Sequence, residues 1–114
     1  MHYMLLIYKA ENGEPKPEPY RPSPGVAAFI EECRERGVLV GAGRLRSVQT
    51  ATTVRVRDEE LLLTDGPFAE TREQLGGFFL LDCADLDEAL AIAARCPMAA
   101  SGSVEVRPLL GGEL

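Results

Sequence analysis

Apolar positions recur along the chain with two spacings, one near two residues and one between three and four, and the changes of spacing divide it into elements. Residues 3–8 (Tyr-Met-Leu-Leu-Ile-Tyr) form a compact apolar run with aromatic ends, the pattern of a strand buried on both faces or nearly so. Val26, Phe29, Ile30 and Cys33 then recur at i, i+3, i+4 and i+7 and make one apolar helix face, with Glu31, Glu32, Glu35 and Arg36 turned away from it. Ser23 can cap that helix, Pro24 suits its first turn, and Gly37 can end it in a left-handed conformation. Residues 38–40 read as a second short strand leading into Gly41 and Gly43, which mark backbone kinks or close approaches.

Strict alternation returns at residues 52–57, with Thr52, Val54 and Val56 on one side and Thr53, Arg55 and Arg57 on the other. Asp58-Glu59-Glu60 is a polar turn of hairpin length, and residues 61–64 are the returning strand. Residues 69–75 are polar and predict a turn or a single helical turn. Gly76-Gly77 opens the apolar run Phe78-Phe79-Leu80-Leu81, a central strand whose glycines imply a bulge or a closely approaching backbone. Asp85 caps a second helix, and Glu88 three residues on completes a capping box. Its predicted core stripe is Leu86, Ala89, Leu90 and Ala93, flanked by Ile92 and Ala94, and Pro97 stops it. Residues 103–107 alternate as a last strand ended by Pro108.

The order β-α-β, hairpin, β-α-β predicts an α+β fold: a ferredoxin-like sandwich with an added β-hairpin. Two helices cannot cover both faces of a sheet of five or six strands. The uncovered face carries apolar side chains from residues 3–8 and 78–81, so a homodimer through that face is expected.

Residues 11–24 interrupt the pattern with Pro15, Pro17, Pro19, Pro22 and Pro24, a density that forbids regular structure. The segment is either a surface connection or a flap over a site.

At 114 residues, 46% hydrophobic and 26% charged, the chain fits a single domain with one core. Its net charge of −6 and lack of a basic cluster argue against nucleic-acid binding. Cys33, Cys83 and Cys96 are odd in number and widely spaced, which disfavours a disulfide framework or a zinc site and suits buried thiols in a reducing compartment. His2 is the single histidine, so no His-rich metal site and hardly a Ser-His-Asp triad can be assembled. Gly41-Ala42-Gly43 is too short for a dinucleotide fingerprint, and no cofactor is expected. Residues 4–8 are too short for a signal peptide, and no apolar run reaches the length of a membrane span; a soluble cytoplasmic protein without membrane partners is expected.

Candidate chemistry gathers around Asp65-Gly66-Pro67-Phe68. Asp65 and Glu70 can serve as general base and acid or as ligand anchors, Arg44 as a bidentate anion contact, and Tyr8 or Phe68 as an apolar wall. Gly66 and Pro67 would shape the turn that presents them. The competing reading of Asp65 is a residue that caps its own turn through backbone amides, and of Arg44 an exposed strand end.

Residues 3–8, 51–55, 64–79, 85–89 and 102–108, with the string T-D-G-P-F-A-E-T-R-E-Q-L-G-G at their centre, resemble the YCII-related family in its DGPF-domain branch. The resemblance implies a dimeric α+β barrel and no established activity. The residues point to a small-molecule-binding protein or enzyme with a pocket near Asp65, and the resemblance implies the alternative, a regulatory module associated with a sigma factor or similar regulator. A histidine proposed to pair with an aspartate in one branch would fall near the start of the first helix. Here that region reads Ser23-Pro24-Gly25-Val26-Ala27, so that pair does not transfer.

Overall fold

Alternation along β1 (His2–Lys9) sends Tyr3, Leu5 and Ile7 to one face, where they are buried, and Met4, Leu6 and Tyr8 to the other, where they are half-buried. The structure, a computed structural model, describes residues 1–13 and 16–111; Pro15 of the predicted proline-rich loop lies outside them. β1 pairs antiparallel with β5 (Gln74–Asp82) on one side and β6 (Ser103–Pro108) on the other. β2 (Leu39–Arg44) adds to the far edge of β5, giving the order β2-β5-β1-β6. β1 and β2 therefore run parallel with β5 between them, the split βαβ arrangement of a ferredoxin-like α+β fold.

α1 (Pro24–Glu35), α2 (Leu86–Arg95) and the short α3 (Met98–Ser101) cover the Tyr3-Leu5-Ile7 face. Phe29 of α1 meets Phe79 of β5 edge to face, with ring centroids 5.2 Å apart, and Cys33, Leu81, Ala89 and Ile92 close the core around them. All three cysteines are free and buried there, and burial pushes each thiol's pKa up.

The helix signals act as the sequence implies. Ser23 Oγ accepts from the Val26 amide, Pro24 opens α1, and Gly37 follows its end at φ +71°. Asp85 Oδ1 accepts from the Glu88 amide at 2.9 Å, while the Glu88 carboxylate reaches back to the Ala84 amide at 3.3 Å. The predicted stripe of α2 needs correcting. Ala89, Ile92 and Ala93 are buried, and Leu86 and Leu90 are 44% and 46% exposed. The contact runs through 89, 92, 93 and 96, because alanines let the helix lie close to the sheet where leucines would hold it off.

Two further expectations change. β3 (Thr52–Arg57) and β4 (Glu60–Asp65) form a two-stranded ribbon of their own, so the main sheet has four strands instead of five or six. Asp58 and Glu59, at φ +51° and +66°, make the two-residue turn of that ribbon, and their double positive φ gives the twist that tight hairpins need. Residues 69–73 contain no helical turn, and β5 starts at Gln74.

The paired glycines mark close approach. The register of β1 against β5 shifts between Ile7 and Tyr8, opposite Gly77 and Leu75, which leaves Gly76 as the extra residue. A Cβ on Gly77 would lie 2.8 Å from the Gly43 carbonyl oxygen, so the β2–β5 pair closes only with glycine there. No helix among the described residues is long and apolar enough to cross a membrane.

Candidate functional site

The Asp65-Gly66-Pro67-Phe68 turn is held at its backbone and at its ring. Asp65 ends β4 opposite Thr52, Gly66 takes φ +98° and donates its amide to the Ala51 carbonyl at 2.7 Å, and Thr53 Oγ1 donates to the Gly66 carbonyl at 2.9 Å. The Arg55 guanidinium stands 4.9 Å from the centre of the Phe68 ring. Among the described residues the Asp65 carboxylate accepts no hydrogen bond and forms no ion pair; it is exposed, and no cap of its own turn is made. The turn is thus fixed by Gly66, Thr53 and Arg55.

The sequence-predicted site residues fall into separate places. Tyr8, Pro67 and Phe68 line one open hollow of about 510 Å³ together with Leu45 and Leu75. Arg44 lines a different set of cavities, at the end of β2. Asp65, Gly66 and Glu70 line neither the hollow nor the Arg44 cavities, so the structure does not bring the two carboxylates together with Arg44.

The cavity at Arg44 forms between the sheet and α1. Ile7 and Phe79 supply its floor, Val26 and Ile30 of α1 one wall, Met98 of α3 its inner end, and Ala42 and Arg44 of β2 its outer edge. Its volume is about 240 Å³, and among the described residues Arg44 is the one charged residue lining it. Tyr20 and Pro22 of the proline-rich segment close the remaining side, with the Arg44 guanidinium 5.5 Å from the centre of the Tyr20 ring.

The segment that carries Tyr20 is strapped to the chain after β2. Glu18 takes a bidentate pair from Arg46 at 2.5 and 2.6 Å, and Lys16 Nζ donates to the Leu45 carbonyl at 3.2 Å. Ahead of them Glu11 accepts from Ser47 Oγ at 2.7 Å and from the Val48 amide at 3.2 Å, at the start of the 3-10 turn Val48–Thr50. The Ser47 hydroxyl is the main reason the Glu11 carboxyl lies below its ordinary pKa, assisted by the Val48 amide and by the charges of Lys16 and Arg44. The described part of the proline-rich segment joins β1 to α1 and places Tyr20 and Pro22 against one side of the cavity.

A second, polar cavity of about 200 Å³ adjoins the first and shares Ile7 and Arg44 with it. Lys9, Glu11 and Lys16 line it. None of Lys9, Glu11, Lys16, Glu18, Tyr20 or Arg46 stood out as a site residue in the sequence, because Lys9 is only the polar end of β1 and the others lie in stretches without periodicity. One signal was present: Lys9 and Lys16 are the only lysines in the chain, and they flank the start of this segment. Among the described residues no group of three or more His, Cys, Asp or Glu side chains is placed to hold a metal ion.

The family model of the YCII-related domain matches residues 1–111, and the chain belongs to the YCII-related family. A protein of Rhizobium meliloti (strain 1021), described only as uncharacterised, is 42% identical over 114 residues, covering 96% of this chain and 92% of the relative.

Proposed function

We propose that this YCII-related protein binds a small molecule in the cavity between α1 and the sheet, beneath the proline-rich strap. The observation that carries the reading is the concave apolar lining itself. Among the described residues an apolar cleft of about 240 Å³, with a single charged residue at its edge, is flanked by a segment that five polar contacts tie down. Ligand sites are typically concave, largely apolar and supplied with a few convergent polar groups. The volume lies below the usual range of roughly 300–1,000 Å³, which calls for a small ligand. The reading places the site at Arg44, with Asp65 and Glu70 outside it and without an acid-base role.

A thermal-shift screen against a metabolite library tests it, run in parallel on Ala42→Phe. Ala42 shares the face of Phe79 on an edge strand, so a larger side chain there fills the cavity without entering the core. Ligands stabilise what they bind by mass action, about 2.7 kcal/mol at a hundredfold excess over Kd. Hits are expected to raise the Tm of the parent protein and to leave Ala42→Phe unmoved. Hits that stabilise both equally would place binding elsewhere and overturn the reading.

A second reading rests on a different observation. On the β3–β4 ribbon Val54 pairs with Leu63 and Val56 with Leu61, and these four side chains are 59–63% exposed. An isolated two-stranded hairpin has little stability in water, and four contiguous apolar side chains favour a partner. We infer that a second copy of the chain covers this ribbon and the half-buried Met4-Leu6-Tyr8 face, giving the homodimer expected from the sequence. Light scattering on Leu61→Glu/Leu63→Glu tests this: conversion of a dimer to a monomer supports it. A parent chain already monomeric, whose ribbon variant loses a regulator such as a sigma factor, would favour the interaction-module alternative.

A further inference from the structure

Both lysines of a chain with net charge −6 line one cavity, and the third cation there is Arg44. Among the described residues that polar cavity holds Lys9, Lys16 and Arg44 against one carboxylate, Glu11. Glu11 is already engaged by Ser47 Oγ and the Val48 amide, and it lies 4.0 Å from Lys16. Arg44 forms no direct ion pair among the described residues; the Glu11 carboxylate in the same cavity feels its charge, and the Tyr20 ring stands 5.5 Å from its guanidinium. Among the described residues positive charge is therefore in local excess here, inside an acidic protein. Such an excess concentrates and holds anions.

The excess sits at the mouth of the apolar cavity. Ile7 and Arg44 line both spaces, so an occupant of the apolar part reaches the cations without leaving the protein. Size limits that occupant. An engineered apolar cavity of roughly 150 Å³ accepts benzene, so the 240 Å³ here suits a body of about ten non-hydrogen atoms. Ring-shaped or branched bodies fit the Ile7-Val26-Ile30-Phe79 walls better than a long chain, which would need a tunnel. The head group must take the guanidinium fork, for which a planar carboxylate is the matched partner.

We propose that the ligand is a small amphiphilic carboxylate, aromatic or branched, with its apolar body under the strap and its carboxylate on Arg44, supported by Lys9 and Lys16. This rests on the cavity reading above and adds the charge of the ligand to it. The Tyr20 ring then closes over the bound head group from the strap side, since it already faces the guanidinium.

Calorimetric titration with phenylacetate and its neutral isostere phenylacetamide tests the charge separately from the cavity. The acid is expected to bind at least about tenfold more tightly than the amide, as a charge-assisted hydrogen bond provides. Its affinity should fall as salt rises from about 0.05 M to about 0.5 M, while that of the amide stays level. Arg44→Gln should weaken the acid about tenfold or more and leave the amide within about twofold, which also shows that the strap and fold survive. Arg44→Lys, which keeps the charge and loses the fork, should fall between. Equal binding of acid and amide by the parent protein would overturn the carboxylate assignment and leave the cavity reading intact. So would an Arg44→Gln variant that weakens both alike. Absence of binding by either probe would overturn the ligand class, and the Ala42→Phe screen, which does not depend on charge, would still decide the cavity by itself.

Discussion

At Gly77 the space for a side chain is filled by the Gly43 carbonyl oxygen, 2.8 Å from where a Cβ would stand. Backbone cannot swing aside as the end of a side chain can, so Gly77→Ala must spread β2 from β5. A loss of about 2 kcal/mol or more is expected, read as a lower urea midpoint. A loss within about 0.5 kcal/mol would show that the two strands separate freely. Asp65 is the opposite case. It is exposed and unbonded among the described residues, so Asp65→Asn should change stability by no more than about 0.5 kcal/mol and leave ligand-induced shifts in Tm intact. Local chemistry of this kind was legible in the sequence where it concerned backbone. Ser23, Asp85 and Gly37 all act within a few residues of themselves, and the Gly76-Gly77 pair announced a close approach without saying which distant backbone makes it. The merit of Asp65 against Arg44 was not legible, because it depends on which distant segment folds over each.

At the scale of elements, α2 shows where periodicity misleads. Leu90 looked like a core residue because leucine dominates any apolar count, yet Ile92 is 1% exposed and Leu90 46%. Ile92→Ala is expected to cost about 2–4 kcal/mol and Leu90→Ala less than about 1 kcal/mol in chemical denaturation. Equal costs would restore the original stripe. The strap shows a second limit. Its prolines announced irregular structure, but nothing in their spacing said that Glu11 and Glu18 would bind residues 46–48. Glu11→Ala removes two hydrogen bonds to a carboxylate and should destabilise by roughly 1–2 kcal/mol near neutral pH. The folded carboxyl titrates below its ordinary range, so the stabilisation is complete above the unfolded value and is lost as pH falls through the lowered folded one. The gap between parent and variant should therefore close below about pH 4. A gap that persists in acid would mean Glu11 acts by packing alone.

Over the whole molecule, the sequence carried the order of the main elements and the ferredoxin-like sandwich with its helices on one side of the sheet, because each follows from apolar periodicity. The site was not carried in this way. Its walls come from β1, α1, β2, β5 and α3 and its roof from the segment before α1, so no single stretch holds its signature. The free-standing ribbon was equally hidden, since alternation in β3 and β4 reads the same whether the pair joins the sheet or leaves it. Both features offer apolar surface, one in a cleft and one on a flat ribbon, and a small apolar ligand must choose between them. Methyl NMR during titration with a stabilising ligand decides the matter directly. The expected result is saturable shifts at the methyls of Ile7, Ile30 and Met98, with Leu61 and Leu63 unmoved. Shifts confined to Leu61 and Leu63, with the cavity methyls unchanged, would contradict binding beneath the strap.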